Sequence, residues 1–195
     1  MLNPTSIITK SEPSEVEALF SRASAGDVLF RAHALRVAAL SVRIGAAFGL
    51  AQRELESLEL AAKLHDLGKL AVPRSILAKP GPLDDDEWAM MRRHPAEGAR
   101  LLAPYVPSRA VLAIVRGHHE RWDGAGYPEG LRGEEIPLGA RIVAVVDAFC
   151  AMVEPRPYRS TLEPAAARAE LLAQAGRQFD PVCAELGHRL TGLAA

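Results

Sequence analysis

Leu138–Val153 is the most apolar stretch of the chain, and it carries a carboxylate, Asp147, among Val145, Val146, Ala148 and Phe149. An ionised carboxylate among such neighbours is costly unless a cation or hydrogen-bond donors meet it. A metal ion is the simplest partner. The chain must therefore fold so that other ligands reach this segment.

The rest of the sequence supplies helices to carry them. Residues 1–13, with Pro4, Ser6, Thr9, Ser11 and Pro13, read as a loose N-terminal arm, and residues 14–195 as one domain. Ser14 with Glu17 reads as a capping box. Leu35, Ala38, Ala39, Val42 and Ala46 recur at helical spacing, and the next helix runs from about Gln52 to Leu67 on Leu55, Leu58 and Ala62, with Gly68 ending it. Residues 72–83 hold Pro73, Pro80, Gly81 and Pro82 and must form a loop; Asp84 then caps a helix. Another helix runs from near Ser108 to about Arg121, and a glycine-rich loop covers residues 123–137. The apolar helix follows, stopped by Pro155 and Pro157, and two more helices close the chain, the last opening at Asp180 and Pro181. Strand-like alternation never lasts more than a few residues. The expected fold is all-α, a single helical bundle.

Composition narrows the partners. The formal net charge is −1, which gives no global attraction to DNA, RNA or anionic membrane. A phosphate-bearing ligand must be caught locally, by metals or a few basic side chains. No run of about 18 apolar residues exists, so no membrane insertion is expected. The N-terminus lacks a basic start before an apolar core, and Cys150 and Cys183 show no CxxC spacing, so a cytoplasmic location with reduced thiols is expected.

Histidines and acids then converge. The doublets His65-Asp66 and His118-His119 both end apolar helices, His33 opens another, and His94 stands before Pro95. With Asp147 these are seven candidate ligands, more than one ion needs. Nitrogen and oxygen donors suit iron or manganese, with nickel or zinc as alternatives; a thiolate zinc finger is excluded by the lack of a cysteine cluster. If Asp66 bridges, each of two ions receives four protein contacts, leaving room for a bridging hydroxide and one phosphate oxygen per ion. Lys69 lies one turn beyond His65 and could meet that phosphate; its plainer reading is a solvated lysine at a helix end.

These residues spell known motifs. The run His65-Asp66-Leu67-Gly68-Lys69 resembles the HDxGK signature of the HD phosphohydrolase superfamily, and HHERWDGAGYP, from His118 through Asp123, Gly126 and Tyr127 to Pro128, resembles the HHExxDGxGYP signature of its HD-GYP branch. The likeness continues through IPLGARIVAVVDAF, RPYR and QFDP and covers roughly residues 27–190. It implies an all-helical fold around two or three metals, often iron or manganese, and hydrolysis of cyclic di-GMP to linear pGpG or GMP. It implies His33, His65, Asp66 and Asp147 as ligands of one ion and Asp66, His94, His118 and His119 as ligands of the other. It further implies Lys69, Arg156 and Arg159 as substrate contacts. It also links the glycine-rich loop to docking of a diguanylate cyclase; otherwise the protein acts alone or takes its input from a separate sensor protein.

The sequence departs from the pattern in two places. Leu29 stands where trinuclear members carry a glutamate, which argues for two metals rather than three, and Cys150 replaces a common second aspartate. The expected chemistry is in-line attack by a metal-bridging hydroxide, with Asp123 or a metal-bound water as the leaving-group acid. Two other readings stay open: a nucleotide phosphohydrolase of the same superfamily, and a weakly active signalling or docking module. Cyclic GMP-AMP is an alternative substrate.

Overall fold

The structure is a computed structural model that describes residues 12–25, 27–154 and 161–192. Arg156 and Arg159, with Pro155 and Pro157, lie outside the described residues. The described helices are α1 (Glu12–Ala23), α2 (Val28–Ala47), α3 (Gln52–Leu64), α4 (Arg74–Leu77), α5 (Asp85–Met91), α6 (His94–Leu102), α7 (Arg109–Gly117), α8 (Leu138–Val153), α9 (Pro164–Ala173) and α10 (Pro181–Leu190). Two 3-10 helices, Leu67–Ala71 and Gly133–Glu135, lie between them. No strand occurs among the described residues, only an isolated bridge between Ala175 and Phe179. The all-α expectation holds.

Local rules account for most of the boundaries. Asp27 caps α2 through Phe30 N at 2.8 Å. Asp84 and Glu87 form a reciprocal capping box on α5, each side chain accepting from the other's backbone N–H at 2.9 Å. Asp180 accepts from Val182 N and Cys183 N at the start of α10. The apolar segment forms α8 with the expected bounds, and it is central: it packs on α2, α7, α9 and α10 and buries Ala140, Ile142, Val143, Val145, Val146, Phe149 and Cys150.

Several expectations need correction. Ser14 lies inside α1, which already runs from Glu12, and so does not cap it. The buried face of α2 is His33, Ala34, Val37, Ala38, Ser41, Ile44 and Gly45; of the stripe expected there, Leu35, Ala39 and Ala46 face solvent. Both faces of this helix are rich in alanine and aliphatic residues, so spacing alone does not choose between them. His33 is therefore the sixth residue of α2, a full turn inside it, not its opening residue. The loop after the HD doublet contains the one-turn helix α4.

The α3 helix also ends earlier than expected, at Leu64, and the chain turns into a 3-10 helix whose N-cap is Asp66. Gly68 serves packing instead of termination. A Cβ there would lie 1.9 Å from His94 O and 2.5 Å from Gly98 N, so only glycine lets this 3-10 helix rest directly on α6.

Candidate metal centre

Five histidine rings line up across the bundle. Centroid distances are 5.6 Å from His33 to His65, 5.0 Å from His65 to His118, 5.2 Å from His118 to His94 and 4.9 Å from His94 to His119. His33 comes from α2, His65 caps the end of α3, His94 opens α6, and His118 and His119 follow α7. His65, His94 and His118 are almost wholly buried.

The ring nitrogens are ordered by what their partners can do. Nδ1 of His65 contacts Ala62 O at 2.7 Å, Nδ1 of His94 contacts Met91 O at 2.8 Å, and Nδ1 of His118 contacts Val115 O at 2.7 Å. A carbonyl only accepts, so each Nδ1 carries the hydrogen and each neutral ring turns a lone pair outward at Nε2. Those carbonyls belong to the last turns of α3, α5 and α7, where no helical N–H claims them.

The Nε2 atoms converge on two carboxylates. Asp66 divides its oxygens: Oδ1 lies 3.3 Å from His94 Nε2, while Oδ2 lies 3.5 Å from His65 Nε2 and accepts from Lys69 Nζ at 2.6 Å. Asp147 Oδ1 lies 3.0 Å from His33 Nε2 and 3.8 Å from His65 Nε2. Two groups of donor atoms result, each with its atoms within 4.8 Å of one another: Asp66, His94, His118 and His119; and His33, His65 and Asp66. Asp66 belongs to both, and Asp147 borders the second.

These donors fit metal ions. Nε2 of His33 and of His65 are buried without a hydrogen-bond partner. Nε2 of His94 and of His118 face each other at 3.3 Å although both rings already hold their hydrogen on Nδ1. Two lone pairs so placed need a cation between them. A proton is a poor candidate, because burial and the neighbouring His119, His65 and His94 hold the His118 pKa well below its ordinary value. Burial also lowers His119, to about 4. For Asp66, burial opposes ionisation, but Lys69, His65 and His94 outweigh it and the carboxyl sits well below the usual range. Asp147 is lowered too: burial opposes, while His33 and His65 prevail. His33 is raised against its burial by Asp147, Glu154 and Asp66. His118 and His119 are thus favoured as neutral imidazoles and Asp66 and Asp147 as ionised carboxylates, the forms that bind divalent metal.

The glycine-rich loop borders this cluster. The Tyr127 ring lies 5.0 Å from His119, and the Arg92 guanidinium lies 5.8 Å from its centroid. Gly126 is packed so tightly that a Cβ would lie 2.3 Å from Arg121 N. Tyr127 N donates to His119 O and Gly133 N to Trp122 O. Asp123, one of two candidates for leaving-group protonation, is engaged within the loop. It accepts from Arg121 at 2.6 and 3.0 Å and from Ala125 N, and the Arg121 hydrogen bond lowers its pKa to about 2. These bonds tie it to Arg121 and to the backbone of the loop.

Two acids went unassigned from sequence. Glu120, buried directly after the histidine doublet, accepts from Glu129 N at 2.7 Å and Leu131 N at 3.1 Å and so anchors the loop. Its place in the motif was the available signal. Glu154, at the end of α8, lies 2.7 Å from His33 Nδ1, and no local pattern announces it.

A family model for the HD domain matches residues 14–183. The chain is 50% identical over 141 residues to RpfG of Xanthomonas campestris pv. campestris, named a cyclic di-GMP phosphodiesterase response regulator; the match covers 70% of this chain and 37% of that protein. It is 43% identical over 157 residues to 3'3'-cGAMP-specific phosphodiesterase 2 of Vibrio cholerae, covering 80% and 30% respectively. The chain thus spans about a third of the length of these relatives. Among solved structures, an HDG"Y"P protein from Bdellovibrio bacteriovorus superposes with a TM-score of 0.70 at 19% identity, over 91% of this chain and 62% of that one, a likeness of fold. No described helix is long and apolar enough to cross a membrane.

Proposed function

The chain belongs to the HD domain family of metal-dependent phosphohydrolases, in its HD-GYP branch, and from that premise we propose that it is a phosphodiesterase that opens cyclic dinucleotides, with cyclic di-GMP as its substrate. The observation that carries the reading is the division of the Asp66 carboxylate between two groups of donor atoms. One position would be held by His33, His65, Asp66 and Asp147, the other by Asp66, His94, His118 and His119. Iron or manganese suits this donor set, with nickel or zinc as alternatives. Bound there, such ions would supply positive charge to phosphoryl oxygens and lower the pKa of water toward neutral pH.

The protein's own groups do the rest. Asp66 and Asp147, kept ionised by their neighbours, balance the cationic charge. Lys69, held 2.6 Å from Asp66 with its side chain a third exposed, stands at the edge of the cluster where it can meet a phosphoryl oxygen whose charge grows in the transition state. Tyr127, which contacts both the His119 ring and the Arg92 guanidinium, closes one wall and limits how substrate enters. Arg156 and Arg159 are the further substrate contacts in this proposal. The loop held by Asp123 and Glu120 offers a firm surface to a diguanylate cyclase or a sensor protein.

The names of the relatives support cyclic dinucleotides as the class and divide between cyclic di-GMP and cyclic GMP-AMP. The test is turnover by anaerobically purified, metal-analysed protein of cyclic di-GMP, 3'3'-cyclic GMP-AMP and linear nucleotides. Faster hydrolysis of cyclic di-GMP supports the reading. Preference for cyclic GMP-AMP replaces the substrate, and hydrolysis of linear nucleotides alone replaces the activity with that of a nucleotide phosphohydrolase.

A further inference from the structure

We propose that Glu154 is a positioning residue for one half of the metal centre: it holds the His33 imidazole so that Nε2 faces His65, Asp66 and Asp147, and its removal weakens that position selectively. This deepens the dinuclear reading and rests on it.

The need arises from where His33 sits. His65, His94 and His118 each take the carbonyl three residues earlier, and each of those carbonyls ends a helix. The corresponding carbonyl for His33 is Phe30, inside α2, where the α-helical pattern assigns it to the N–H of Ala34. His33 has no spare main-chain acceptor nearby. Glu154 supplies one from 121 residues away: its Oε2 lies 2.7 Å from His33 Nδ1. A carboxylate only accepts, so the hydrogen belongs to Nδ1 and the lone pair to Nε2.

Both sides of the ring are met from α8 and its end: Asp147 lies in the helix, and Glu154, seven residues on, is its C-cap in extended backbone. Asp147 approaches Nε2 at 3.0 Å without the alignment of a hydrogen bond, while Glu154 engages Nδ1. Glu154 is itself mostly buried: its side chain is 13% exposed, and Arg36 Nη1 forms an ion pair with Oε1 at 3.5 Å, without hydrogen-bond geometry. A carboxylate behind a ligating histidine fixes its tautomer and strengthens the opposite nitrogen as a donor, and its loss typically weakens metal affinity by about 10–100-fold.

The experiment titrates metal-free full chain with Mn²⁺, reading free ion and the electron paramagnetic resonance spectrum for wild type, Glu154→Ala, Glu154→Gln, His33→Ala and the Glu154→Ala/His33→Ala double variant. Wild type should bind two equivalents and give an exchange-coupled spectrum. Glu154→Ala should keep one equivalent at unchanged affinity, bind the second about 10–100-fold more weakly, and show isolated Mn²⁺ at one equivalent. Glu154→Gln should fall between, because its amide oxygen still accepts from Nδ1. In the His33→Ala background, Glu154→Ala should add no further loss. Wild-type binding of both equivalents by Glu154→Ala, or an equal loss with and without His33, overturns the proposal. Failure of the wild-type chain to bind two equivalents overturns the dinuclear reading instead. If Glu154→Ala does not fold, Glu154→Gln decides: a weaker second equivalent with unchanged circular dichroism supports the role, and wild-type binding of both overturns it.

Discussion

His65, His94 and His118 borrow their orientation from the ends of helices, whereas His33 depends on a side chain 121 residues away. The first three need only that α3, α5 and α7 stop where they do. No side-chain substitution removes a main-chain carbonyl, so the orientation of these three rings is robust. His33 needs α2 and α8 docked in register and one glutamate present. The two regions also differ electrostatically. Acidic neighbours raise the pKa of His33, while burial lowers those of His118 and His119. Ligands that look equivalent in sequence are thus supported by quite different physics.

The largest expected effect comes from the residue that joins the regions. Asp66→Ala should lower metal content from two ions per chain toward none and reduce turnover on the order of 10³-fold, since both positions lose a donor. Elemental analysis beside a turnover assay checks this; retention of both metals with near-normal rates would break the bridging assignment. Two ions per wild-type chain, not three, is the matching expectation, because exposed Leu29 offers no donor near His33.

Lys69 should separate chemistry from ligation. Lys69→Ala is expected to lower kcat on the order of 10²-fold while both metals remain bound. An unchanged kcat with intact metals would leave Lys69 only its ion pair with Asp66.

Packing sharpens the contrast next. Gly68→Ala would drive a methyl against His94 O, so the 3-10 helix and α6 must move apart. A loss of about 1–3 kcal/mol in denaturant unfolding is expected, with the His94 half losing metal affinity before the His33 half. Equal losses in both would show that the halves are not mechanically separable.

The smallest effect is electrostatic and belongs to the metal-free protein. His119 titrates near 6.5 when unfolded but at about 4 when folded, and His118 is lowered as well. The unfolded chain then binds more protons in that window, so stability falls as pH drops from about 6.5 toward 4. His33 has the opposite sign: its contribution is present below its unfolded value and is lost as pH rises through its raised folded value. Melting temperature against pH should therefore fall on the acid side, less so in His119→Ala, and should fall more steeply there when metal occupies the ligands, because bound histidines take up no protons while the unfolded chain still does. A flat acid limb in the metal-free wild type would contradict the assigned burial of these rings.

Much of this centre was legible along the chain because its ligands stand at punctuation marks. His65, His94 and His118 fall at helix boundaries, and the bounds of α8 could be drawn from its apolar run and the prolines after it. Boundaries written in prolines, caps and doublets are local, and local chemistry is readable. The buried face of α2 was not, because alanine and aliphatic residues cover both sides and only contact with α3 and α8 selects one. Nor was the early end of α3, where Gly68 answers to the backbone of α6 and not to its own helix.

The sequence by itself determined the candidate metal ligands and that helices must carry them: a carboxylate amid apolar neighbours and two histidine-bearing doublets at helix ends point there. Tertiary structure alone decided how Asp66 divides its oxygens, that Asp123 is committed to Arg121, and that Glu154 stands behind His33. The reason is physical. Periodicity and capping act over a few residues, while the orientation of an imidazole inside a continuous helix is set by whatever another helix brings to it, at a distance no spacing rule records.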